Sequence, residues 1–156
     1  MSSRFAALMI ALLLQLAGCE QKSTLQIKYE EMIPLRNEEL RNKFQGLSPS
    51  EQIDVYLYGV NKIRPRDYSF APQLDLTNPS VVRLLTDRLR SADSEAEIFA
   101  LVYALHEVTS GSLAKADVAK VIGARKACDR FFTSPSPCHQ LAGEIDALAS
   151  KGTEGK

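Results

Sequence analysis

Residues 78–108 read NPSVVRLLTDRLRSADSEAEIFALVYALHEV, and this stretch carries two helical patterns joined by a short acidic turn. Asn78 followed by Pro79 is typical of a helix start, because the amide caps free backbone N–H groups and proline fits the first turn. Asp93 or Ser94 is the expected cap of the second helix. Apolar residues recur at helical spacing, first at Val81, Val82, Leu85 and Leu89, then at Ile98, Leu101, Val102, Leu105 and Val108. The second stripe is broad, so the stretch predicts a hairpin whose second helix is well buried.

The same helical spacing recurs on both sides of this hairpin. Upstream, Ser48-Pro49-Ser50-Glu51 has the pattern of a capping box with proline at the first helical position, and Pro65 ends the helix that it starts. Pro34 interrupts the helix formers of residues 25–45, which predicts two helices or one kinked helix. Two further helices are predicted downstream, over residues 112–131 and 136–150.

The composition supports one helical domain. Strand-like alternation is rare, so the sequence predicts an all-α fold of about six helices in antiparallel hairpins. The domain is expected over residues 25–150, with a frayed tail at 151–156. Hydrophobic residues make up 45% of the chain, which is enough to bury a core. The 19 basic and 19 acidic residues balance, so no basic excess favours nucleic acid as a partner.

The N-terminal residues are typical of an exported protein. Arg4 precedes an apolar run over residues 5–14 that is too short for a transmembrane helix, which needs roughly 20 residues. The length fits the apolar region of a signal peptide. The run leads into Leu16-Ala17-Gly18-Cys19, and these four residues resemble the lipobox of bacterial lipoproteins.

The lipobox resemblance implies processing and a location. Residues 1–18 would be removed as a signal peptide, Cys19 would carry diacylglycerol and an acyl group such as palmitate, and residues 19–24 would be the lipidated N-terminus and tether. Glu20 follows the cysteine, whereas aspartate at that position commonly marks inner-membrane retention in Gram-negative bacteria. We therefore expect a lipid-anchored protein of the cell envelope, at the outer membrane and facing the periplasm. The alternative is a plain secretory peptide cleaved nearby, with Cys19 incidental.

Two further cysteines, Cys128 and Cys138, suit an oxidising compartment. Both lie on apolar helical faces, and Pro135 and Pro137 between them favour a turn. A disulfide would join the end of one helix to the start of the next. The alternative is a redox-active pair, although the spacing lacks the Cys-x-x-Cys pattern that tunes thiols.

The hairpin at residues 78–108 resembles a HEAT repeat. It has a proline-initiated first helix, Asp93 in the turn and the pair Ala104-Leu105 near the end of the second helix. It departs from the family pattern at Glu97 and Ile98, where a basic residue is usual. The resemblance implies HEAT-like stacking of helical hairpins and no particular activity.

The sequence contains few motifs that indicate catalysis, metal binding or cofactor binding. His106-Glu107-Val108-Thr109-Ser110 has serine where a zinc-protease helix needs its second histidine, so no metal site is predicted. No phosphate-binding loop or dinucleotide fingerprint implies a cofactor. A Ser-His-Asp set stays open, because its members can be distant in sequence. A pair of working carboxylates also stays open.

The candidate partner-binding surface is the stretch 64–70, which lies in the longest segment without helical periodicity. Arginine and tyrosine carry much of the energy of protein interfaces. The candidate residues are Arg64, Arg66, Asp67, Tyr68 and Phe70. The alternative is that Tyr68 and Phe70 fill the core while Asp67 pairs locally with an arginine.

These observations favour a non-enzymatic protein-binding module held in the envelope by its lipid. An accessory envelope subunit and an immunity-type inhibitor of a secreted toxin both fit that class. The alternative is an envelope hydrolase acting on peptidoglycan or another periplasmic substrate. A lipid or small-ligand carrier would require a cavity.

Overall fold

The computed structural model describes residues 22–75, 77–110 and 123–151, with the backbone alone at 108–110 and 148–151. The regular elements in these ranges are helical, which confirms the all-α fold class. They are α1 (Thr24–Met32), α2 (Asn37–Gln45), α3 (Pro49–Lys62), a 3-10 turn (Ala71–Gln73), α4 (Pro79–Ser91), α5 (Glu95–Ser110), α6 (Ala124–Cys128) and α7 (Pro137–Lys151). Within the described part, none of these helices combines the length and apolar composition that crossing a bilayer requires.

Three helix starts follow the predicted caps. The Ser48 hydroxyl accepts from the backbone N–H of Glu51 at 3.4 Å, and the Glu51 carboxylate accepts from the Ser48 N–H at 3.0 Å, which completes the capping box. Asn78 caps α4 by accepting from the Ser80 N–H at 2.9 Å. Of the two predicted caps for α5, Ser94 is the one that accepts, from the Glu97 N–H at 3.3 Å. Each cap satisfies a backbone donor that would otherwise lack a partner.

Two predicted boundaries differ from the structure. Ser23 caps α1, which begins at Thr24, so the last residues of the predicted tether already belong to the folded domain. The predicted helix over 112–131 is not continuous, because Gly123 has a non-helical backbone (φ −162°, ψ −12°) and α6 ends at Cys128. Other predicted features lie outside the described residues, namely the signal peptide at 1–18, Cys19, residues 111–122 and the tail at 152–156.

Helix α5 is the centre of the core. It packs against α3, α4, α6, α7 and the 3-10 turn. Its side chains Ile98, Leu101 and Leu105 are buried, as the broad stripe predicts. The Tyr56 hydroxyl donates to the Ala100 carbonyl at 2.7 Å and ties α3 to this helix. Burial raises the pKa of the Tyr56 phenol well above its usual value.

A second group of helices surrounds an aromatic cluster. Pro34 separates α1 from α2, and α1 packs on α3 while α2 packs on the 3-10 turn. Phe70 is the centre of the cluster, with ring centroids 5.4 Å from both Tyr29 and Phe44. The segment after α3 is therefore folded onto α1 and α2.

The Cys128–Cys138 disulfide is confirmed. It joins the last residue of α6 to the first turn of α7 across a Cα–Cα distance of 5.8 Å. Both residues are 0% exposed. Because thiol–disulfide exchange requires access to a sulfur, this burial favours a structural bond over a redox-active pair.

Candidate functional site

The residues predicted to form a partner-binding surface at 64–70 differ in burial and in their contacts. Phe70 is only 2% exposed, so it is a core residue rather than an exposed anchor. Its side chain fills the space between Tyr29 and Phe44, since burying an aromatic ring against other rings is more favourable than exposing it. Tyr68 is half-buried and lies against Phe99 and Tyr103 of α5, with centroid distances of 5.9 and 5.4 Å.

Asp67 also has an internal role, and its partner is a tyrosine rather than an arginine. Its carboxylate accepts from the Tyr29 hydroxyl at 2.5 Å and from the Ser69 N–H at 2.8 Å. Burial acts to raise the pKa of Asp67, and these hydrogen bonds outweigh it and lower that pKa. Burial, together with the bond to the carboxylate, raises the pKa of Tyr29. The pair connects α1 to the segment after α3.

The two predicted arginines lie apart from these groups. The Arg64 guanidinium donates to the Asn61 and Ile63 carbonyls at 3.1 and 2.8 Å, where it satisfies acceptors at the C-terminal end of α3. Arg66 is exposed and makes no hydrogen bond or ion pair with the described residues. The five predicted residues therefore do not form one surface. Arg66 is the member whose side chain is exposed and has no hydrogen bond or ion pair with the described residues.

A groove of about 920 Å³ opens beside this segment, between the end of α1, the start of α2 and residues 67–73. We call it the corner groove. Its lining consists of Met32, Ile33, Leu35, Arg36, Asn37, Glu38, Leu40, Arg41, Asn42, Asp67, Ser69, Phe70 and Gln73. Asp67 and Phe70 are the members of the predicted surface that contribute to it.

The apolar part of the corner groove comes from the chain around Pro34. Ile33 is the C-cap of α1 and is 50% exposed, while Leu35 and Leu40 are half-buried. The chain enters α2 through Asn37, whose φ of 48° lies in the left-handed region that asparagine tolerates better than most residues. Ile33 therefore lies at the exposed end of α1, where the chain turns at Pro34.

Polar groups complete the corner groove. Arg36 donates through Nη1 to the Ile33 and Leu35 carbonyls at 3.1 and 3.3 Å. The side-chain oxygen of Gln73 is buried and accepts no hydrogen bond from the described residues. A buried acceptor without a donor is costly to the fold, and its burial keeps this oxygen out of reach of a ligand in the groove.

The apolar pattern of the sequence does not predict this groove. Apolar residues at helical spacing form one stripe on α1 and another on α2; they include Tyr29, Met32 and Phe44, and the structure buries these three. Ile33 and Leu35 belong to neither stripe, and an apolar pair outside both stripes beside a proline is the signal that could have indicated an exposed corner.

A second arrangement has the residue types of a catalytic triad. His139 Nδ1 lies 2.6 Å from the Ser136 hydroxyl, and its Nε2 lies 2.9 Å from the Asp129 carboxylate. In a catalytic triad the aspartate is buried. Here the histidine is buried and the aspartate side chain is 60% exposed, so the arrangement differs from a triad. Ser136 also accepts from the His139 N–H at 3.4 Å, and Pro137 follows it without an N–H for an oxyanion. The arrangement caps α7 and joins it to α6 beside the disulfide.

His106 lies within hydrogen-bond distance of a carboxylate and belongs to no group of metal ligands among the described residues. Its Nε2 lies 2.7 Å from Glu144 of α7, and hydrogen bonds from Gln140 and His106 lower the pKa of Glu144. Over residues 22–75, 77–110 and 123–151, no cluster of three or more His, Cys, Asp and Glu side chains has metal-binding geometry.

Comparison with known proteins gives no relative: no family model, no curated protein and no solved structure matches this chain.

Proposed function

We propose that this chain is a lipid-anchored cell-envelope protein that binds a protein partner through the corner groove, without catalysis. The observation that carries the proposal is the groove itself, which leaves Ile33 half-exposed beside two arginines. Apolar anchors next to arginine are typical of interface centres.

The lining favours a peptide over a small apolar ligand. Pockets for small molecules are lined predominantly by apolar side chains. In the corner groove five of the 13 lining residues are apolar (Met32, Ile33, Leu35, Leu40 and Phe70), and the remainder are polar or charged. Such a lining suits a polypeptide, which offers side chains and backbone donors together.

The proposed anchor limits where the partner can lie. Lys22 is three positions after Cys19, and an extended chain spans about 10 Å over these three steps. Helix α1 has nine residues, and its length is roughly 13 Å. The corner groove is then within roughly 30 Å of the lipid. We therefore propose a membrane-proximal partner, either a larger envelope assembly or a toxin that this protein inhibits, at the periplasmic face of the outer membrane.

Affinity capture with the intact lipidated chain tests the proposal. Ile33→Gln should abolish recovery of a stoichiometric partner, because it replaces the apolar anchor with a polar side chain. Ile27→Gln is the matched control, since Ile27 is 45% exposed on the same helix and does not line the groove. Equal recovery with both variants would refute the groove as the binding site.

A further inference from the structure

We draw no further inference here: the strongest candidate, the row of half-buried aromatic rings that Tyr68, Phe99, Tyr103 and Phe132 form along α5, carries nothing because no contact or charge among the described residues shows what would cover it.

Discussion

Gly59 of α3 gives the sharpest test of how the segment after α3 is held. A Cβ atom at this position would lie 2.8 Å from Cε2 of Tyr29 and 3.2 Å from the carbonyl oxygen of Asp67. Favourable contacts between carbon atoms are about 3.5–4.0 Å long. The absent side chain is therefore what lets α1 and the wall of the corner groove approach α3.

Gly59→Ala should destabilise the protein even though alanine is the better helix former. Replacing glycine in a helix interior ordinarily stabilises by about 0.5–1 kcal/mol. Here the overpacking cost of about 1–3 kcal/mol wins, because Tyr29 has no space in which to move. Its ring is held by Tyr58 and Phe70 at centroid distances of 5.5 and 5.4 Å. We expect a net loss of about 1–2 kcal/mol in the free energy of unfolding.

Gly143→Ala is the matched control on α7. Its Cβ would meet the Arg125 guanidinium at 3.6 Å, an ordinary contact, so we expect a gain of about 0.5–1 kcal/mol. Urea unfolding followed by circular dichroism measures both variants, with the denaturant dependence checked for equality. If Gly59→Ala is as stable as the parent, or if both variants shift in the same direction, the close packing described here is wrong.

Two further predictions concern the disulfide and a surface carboxylate. Replacing both Cys128 and Cys138 by alanine should cost ~2–3 kcal/mol and lower Tm by roughly 10 °C in a thermal melt, and an unchanged Tm would contradict the structural role of the bond. Hydrogen bonds from Lys28 and Ser48 hold the pKa of Glu51 at about 2, below its usual 4.5, so its contribution to stability is present above pH 4.5 and is lost as the pH falls towards 2. Tm measured across this range should therefore fall more steeply for the parent than for Glu51→Gln, and parallel curves would rule out this linkage.

Local chemistry explains the part of the fold that the sequence predicted. The caps at Ser48 and Asn78 depend on residues within one helical turn, and both form. The burial of α5 follows from its own broad apolar stripe. The disulfide depends on two short-range features, the apolar faces and the proline turn between them. The likeness of residues 78–108 to a HEAT repeat stays a prediction.

Contacts between distant residues explain what the sequence did not predict. Tyr29 and Asp67 are 38 residues apart, and the hydrogen bond between them holds the segment after α3 against α1. Phe70 has no periodic neighbours that reveal its burial, so an aromatic residue in a loop resembles an exposed anchor until the fold is known. The corner groove arises where two helices diverge at Pro34, and no single-helix pattern describes such a junction.

Site-specific photo-cross-linking in intact cell envelopes tests the central claim, binding of a protein at the corner groove. A photoreactive residue replaces either Ile33 in the groove or Ile27 on the same helix outside it, in the full-length chain with its Cys19 region unchanged. We expect a single discrete protein adduct from position 33 and none from position 27. Adducts of equal yield at both positions, or none at position 33, would contradict the account.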